Sequence, residues 1–155
     1  SSDLRNKVRQ VLDKVELIHS VDSLRLARDI DRIGEEMGLC PKILIEVNVA
    51  KEASKYGITV EELPETLEEL SRFSHLRVEG LMTIAPFVEN PEENRPVFRA
   101  LRQLFVDNRE NPFHNIEMNV LSMGMTNDYQ VAIEEGATLV RIGTALFGAR
   151  QYTTA

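Results

Sequence analysis

Short apolar runs of strand character alternate along the chain with longer stretches in which apolar residues recur every three or four positions. Residues 6–14 (NKVRQVLDK) carry the helical spacing, with Val8, Val11, Leu12 and Val15 on one side. Residues 15–21 (VELIHSV) predict a strand that ends at Asp22-Ser23, a capping pair for a helix over 24–37. That helix buries Leu24, Leu26, Ala27, Ile30 and Ile33 and stops at Gly38. Residues 42–49 (KILIEVNV) form a nearly continuous apolar run, as expected of a strand buried on both faces in a parallel sheet. Glu46 and Asn48 interrupt it on one pleat face. After a polar loop over 50–57, Thr59 opens a helical pattern that puts Glu61 and Glu62 in its first turn and runs through Leu70, with Pro64 near its start. A strand over 76–85, with Gly80 inside it, precedes a charged helix over 92–110 with Val97, Leu101, Leu104 and Phe105 inward.

Residues 119–148 (NVLSMGMTNDYQVAIEEGATLVRIGTALFG) then read as strand, turn, helix, strand, turn. The strands are expected at 119–125 and 139–143, and Asp128 suits the N-cap of a short helix over 129–135 that Gly136 ends. Adjacent strands would bring Ser122 and Gly124 near Gly143 and Thr144. Hydroxyls and glycine-freed backbone N–H groups suit a phosphate. Arg141 is an unusual charge for an apolar strand. The same features also suit plain punctuation after a strand and an edge arginine, and the local chemistry leaves both readings open.

The order is a helix, four β-α units and a fifth strand, which predicts a parallel sheet with right-handed crossovers. Polar residues collect at every strand's C-terminal end: His19-Ser20, Asn48, Thr83, Ser122 to Gly124, and Gly143-Thr144. A (β/α)8 barrel displays its functional groups there, although five strands cannot close one. Neither GxGxxG nor GxxxxGK[ST] occurs, so the common nucleotide-binding signatures are missing.

At 155 residues and 43% hydrophobic, the chain has the bulk of one α/β domain. A formal charge of −7 argues against a nucleic-acid groove. No apolar run has the length of a membrane span, and no cleavable signal pattern is present. The single Cys40 fits a reducing, cytoplasmic compartment, and its place between Leu39 and Pro41 suggests a structural thiol. His19, His75 and His114 are too scattered for a metal site.

Five segments together carry a resemblance: IHSVDS, ILIEVNVAKEASKYG, VEGLMTIAP, LSMGMTND and VRIGTALFG. In order and spacing they resemble the pyridoxal phosphate homeostasis protein family (YggS/PROSC-like), the small single-domain relatives of the alanine racemase barrel. The likeness runs from about Asn6 to Tyr152. It implies a (β/α)8 TIM barrel of the alanine racemase N-terminal type, of which this chain supplies strands four to eight as a single domain. The cofactor it implies is pyridoxal 5′-phosphate, PLP. Ser122 and the backbone near Gly124 would bind the phosphate from one side, Gly143 and Thr144 from the other. Arg141 would face the pyridine nitrogen, and Asn48 and Met82 would line the cup, a packing role serving Met82 equally well. His19 would stand near the pocket as a strand-end residue.

The resemblance places the family's Schiff-base lysine on the first strand, which nothing here matches, so no catalytic residue is expected in this chain. Lys42, Lys51 and Lys55 are expected to be solvated charges instead. The function implied is intracellular PLP homeostasis, buffering and delivery without catalysis, with PLP-dependent apo-enzymes as possible recipients. The alternatives are an alanine-racemase-like amino acid racemase, and a phosphate-binding barrel with another ligand such as a sugar phosphate. A racemase needs a base on each face of the substrate carbanion. A five-strand arc has two open edges, so it is expected to be completed by a segment upstream of Ser1, paired with a second copy, or prone to aggregate.

Overall fold

The computed structural model describes residues 6–8, 17–52, 56–143 and 152–153, of which 6–8 are helical. The rest of the expected N-terminal helix lies outside the described residues. Five parallel strands follow in sequence and in space: β1 (Leu17–Val21), β2 (Lys42–Glu46), β3 (Arg77–Met82), β4 (Ile116–Met125) and β5 (Leu139–Arg141). The crossovers carry α1 (Leu24–Met37), α2 (Leu63–Leu70), a 3₁₀ turn at Pro91–Asn94 running into α3 (Arg95–Asp107), and α4 (Tyr129–Glu134). The architecture is a parallel α/β half-barrel.

Local chemistry explains most of the boundaries. Ser23 caps α1 by accepting from Leu26 N at 3.1 Å, and Gly38 ends it in the left-handed region at φ 67°. The helix expected from Thr59 begins instead at Leu63. Thr59 and Glu62 form a hydrogen-bonded turn before it, and Pro64 sits in its first turn. Glu61 and Glu62 therefore precede the helix rather than sit in its first turn. The long helix expected over 92–110 is divided, because Pro96 has no N–H to continue the preceding turn. Its buried stripe is Phe98, Leu101 and Phe105, with Val97 at the margin.

The sheet has two unlike faces. Ile43, Ile45, Val78, Leu121, Met123 and Val140 face the helices and form the main core with Ile30, Leu67 and Phe98 among others. Each fully buried side chain of that size stabilises by roughly 1.5–3 kcal/mol. Leu44, Glu46, Met82, Ser122, Leu139 and Arg141 are as deeply buried but lie outside that core, on the inner face. Gly80 is what lets β3 approach β4. A Cβ there would stand 1.8 Å from the Val120 carbonyl oxygen, and the register shifts at this point.

Two expectations are corrected at the edges. A two-residue strand, β6 (Tyr152–Thr153), pairs antiparallel with β5, so that edge is covered where an open one was expected. Residues 152–153 gave no strand signal in the sequence, because so short a strand has no periodicity to detect. Cys40 is exposed rather than packed.

Candidate functional site

One tier of the inner face is built by register alone. Glu46 pairs with Met82, Met82 with Ser122, and Ser122 with Leu139, so these four side chains stand in a row across β2 to β5. Arg141, one turn of the pleat beyond Leu139, lies over that row. Its Nη1 donates to Ser122 Oγ at 2.7 Å, and its Nη2 donates to the Thr83 carbonyl at 2.9 Å. Thr83 is itself fixed, its hydroxyl donating to Val47 O at 2.7 Å. Arg141 is 5% exposed, so the edge-arginine reading fails: the charge points inward.

Burial lowers the pKa of the Arg141 guanidinium, while the carboxylates of Glu46 and Asp128 act against that shift. An arginine starts so high that it stays charged at neutral pH. Because Arg141 only donates, Ser122 Oγ is used as an acceptor and keeps its own O–H to give elsewhere. The pair therefore presents a fixed cation and a hydroxyl donor, the chemistry that receives an anion or a ring acceptor.

His19, on β1, completes the inner face. Its Nδ1 is buried and has no hydrogen-bond partner. Burial, then the positive charge of Arg141, lowers its pKa to about 4. β1 and β5 are separated by three strands. In a flat sheet that is about 19 Å, too far for strong electrostatic coupling. The half-barrel curves the sheet, which brings its inner-face side chains closer than a flat sheet would.

The end of β4 and the turn after it are closely packed and hydrogen-bonded. Gly124 is buried with φ 102°, and a Cβ there would meet Ala132 Cβ at 2.6 Å. Asp128 occupies the N-cap position of α4 but makes no side-chain bond to that helix. Its Oδ1 accepts from Met125 N at 2.7 Å instead, and its Oδ2 accepts from Asn94. Gly143, at φ 75°, directs its N–H to Thr126 Oγ1 at 3.2 Å. That contact is exposed, so another acceptor can exchange with Thr126 there.

The structure thus gathers Ser122, Arg141, Met82, Gly124 and Gly143 at the C-terminal end of the sheet, with Thr126 beside them. Thr144 lies outside the described residues. Asn48 is half-buried at the rim, and its amide is engaged with the main chain of Glu52 in both directions, at 2.9 and 3.3 Å. It closes the loop after β2. Lys42 is exposed, Lys51 pairs with Glu61 at 3.4 Å on the surface, and Lys55 lies outside the described residues. No cluster of metal-ligating side chains occurs among the described residues. The sequence reading assigned no role to Asn94 or Thr126, for which it holds no signal. Glu46 did leave one, a carboxylate inside an apolar strand.

A half-barrel with its polar groups at the strand C-termini and a buried arginine on the last parallel strand is the setting in which comparison with known proteins becomes informative. The family described as "Alanine racemase, N-terminal domain" matches residues 4–151, and the chain belongs to it. It is 47% identical over 147 residues to the pyridoxal phosphate homeostasis protein of Aquifex aeolicus, an alignment covering 95% of this chain and 64% of that protein. It is 41% identical over 150 residues to the protein of the same name from Pseudomonas aeruginosa, covering 95% and 61%. The solved structure of PipY from Synechococcus elongatus with PLP bound superposes with a TM-score of 0.78 at 35% identity, covering 93% of this chain and 66% of that one. The chain therefore spans a little under two thirds of the length of these relatives. Among the described residues no helix is long and apolar enough to cross a membrane.

Proposed function

We propose that these residues form the phosphate and ring-nitrogen side of a pyridoxal 5′-phosphate site, in a protein of PLP homeostasis that holds and hands on the cofactor without catalysis of its own. They correspond to strands four to eight of a (β/α)8 barrel and make up the C-terminal five β-α units of one domain. The recipients are the apo forms of PLP-dependent enzymes. The names of the relatives support this reading, as does the PLP held by PipY. The observation that carries it in this chain is Arg141, buried at the C-terminal end of the sheet and locked by Ser122 and Thr83.

The residues present fit the cofactor. The buried, unpartnered nitrogen of His19 marks a polar cup rather than a closed apolar core. Gly124 and Gly143 keep the backbone open where a side chain would intrude or be strained. When bound, PLP supplies an electrophilic aldehyde and an electron-withdrawing ring. Ser122, the backbone at Gly124 and Gly143, and Thr144 hold the phosphate. Arg141 meets the ring nitrogen with a donor that cannot accept a proton, so that nitrogen stays unprotonated and the ring withdraws electrons less strongly. Met82 floors the cup. His19, held near pKa 4, is a weak base at neutral pH. Both features suit retention of the cofactor over proton abstraction from a substrate.

The test is a titration of the full-length protein with PLP and, separately, with pyridoxal, which lacks the phosphate. PLP is expected to bind far more tightly. Thr144→Val should weaken PLP by about tenfold or more, the loss of one hydrogen bond to a charged acceptor of about 1.5 kcal/mol or more. Equal affinities for PLP and pyridoxal, or no binding of PLP, would overturn the proposal.

A further inference from the structure

Asn94, the last residue of the 3₁₀ turn before α3, is 1% exposed, and its side-chain amide bonds two loops rather than a strand. Its Nδ2 gives one hydrogen to Pro86 O at 2.9 Å and the other to Asp128 Oδ2 at 2.9 Å. One amide thereby ties the connection after β3 to the turn after β4. Asp128, 5% exposed, is held at its other oxygen by Met125 N at 2.7 Å, and its carbonyl accepts from Ala132 N at 3.1 Å. The same turn carries Thr126, which meets the Gly143 N–H, and Asn127, whose Nδ2 donates to Val88 O at 3.1 Å.

What Asn94 does follows from the burial of its acceptor, Asp128. The negative charge of Asp128 favours the charged form of Arg141. Glu92, Arg95 and Glu134 line the same cleft as Asp128. Asn94 and Met125 together hold both carboxylate oxygens of Asp128. Without the amide, Oδ2 loses a donor while buried, an expensive state that loosening of the 125–128 turn toward water would relieve. A turn so loosened would no longer hold Thr126 against the Gly143 N–H.

We propose that Asn94 is a positioning residue for ligand binding: through Asp128 it fixes the 125–128 turn beside Gly143. This rests on the phosphate site proposed above. The test uses the full-length protein with Asn94→Ala and Asn94→Asp, PLP as the probe, and two readouts. In the ligand-free protein, hydrogen exchange at the Met125 amide should accelerate about tenfold or more in Asn94→Ala, while exchange in the Ile43–Ile45 core stays as it was. In PLP titrations, Asn94→Ala should weaken binding about tenfold, the value of one hydrogen bond to a charged acceptor. Asn94→Asp sets two carboxyl groups against each other. Its affinity relative to wild type should be lowest at pH 8 and recover toward pH 5, as a shared proton restores the donor.

Unchanged Met125 exchange, or a variant-to-wild-type affinity ratio that is flat with pH, would overturn the proposal. If wild type binds no PLP, the ligand reading fails, and the exchange experiment still decides whether Asn94 holds the turn.

Discussion

Replacing Arg141 by methionine tests the electrostatic centre of the site without a large change of shape. Two hydrogen bonds from a charged donor disappear, to Ser122 Oγ and to Thr83 O. Ser122 can turn its hydroxyl elsewhere, but the Thr83 carbonyl loses this donor. Glu46, 6% exposed, and Asp128, 5% exposed, both lose the opposite charge that Arg141 provides. Leaving two buried carboxylates without that balancing charge costs up to about 3–5 kcal/mol, the range for taking one partner from a buried pair, a large share of the roughly 5–15 kcal/mol that holds a domain together. Most of that cost belongs to the carboxylates left behind, so it should shrink when one is made neutral. In a Glu46→Gln background, Arg141→Met should cost about 1–3 kcal/mol less than in wild type, the coupling expected of interacting neighbours. The assay is urea unfolding of the four proteins of the cycle at pH 7 in the absence of PLP. Effects that add to within about 0.5 kcal/mol would refute the reasoning, and so would an Arg141→Met protein as stable as wild type.

The depressed pKa of His19 makes stability depend on acid. The unfolded chain takes up this proton near 6.5 and the folded one only near 4, so between those values the unfolded state binds more protons. The contribution is complete above about pH 6.5 and is lost as pH falls toward 4. Its ceiling is about 3 kcal/mol by linkage, discounted to roughly 1–2 kcal/mol for the partly exposed ring. His19→Gln should flatten the stability profile in that window, and a profile identical to wild type would count against it. Gly80→Ala would force a methyl group into the Val120 carbonyl. It should abolish folding or cost more than about 4 kcal/mol, and a soluble variant with wild-type urea midpoint would show that β3 and β4 can separate there.

The parts of this fold legible in the sequence are those fixed by neighbours along the chain. The apolar run of β2 announced a strand buried on both faces, and Ser23 and Gly38 announced both ends of α1, because caps act over a few residues. The same locality misplaced the start of α3, where Pro96 overrides a helical pattern that continues through it. Arg141 stood out as a charge in an apolar strand, but its partners Ser122 and Thr83 lie 19 and 58 residues away, and only the stacking of strands brings them to it. Asn94 shows the limit most clearly. An asparagine in a charged, proline-bearing stretch has no pattern that points to Asp128, 34 residues on. Glu46 falls between these cases: its oddness was visible, and its meaning required the register that sets it beside Met82 and Ser122.

The most direct measurement is a crystal structure of the full-length protein grown with PLP. The account predicts the phosphorus between the Ser122–Gly124 segment and the Gly143–Thr144 segment, with the ring nitrogen toward Arg141. A phosphate bound elsewhere, or a ring whose nitrogen faces away from Arg141, would contradict it.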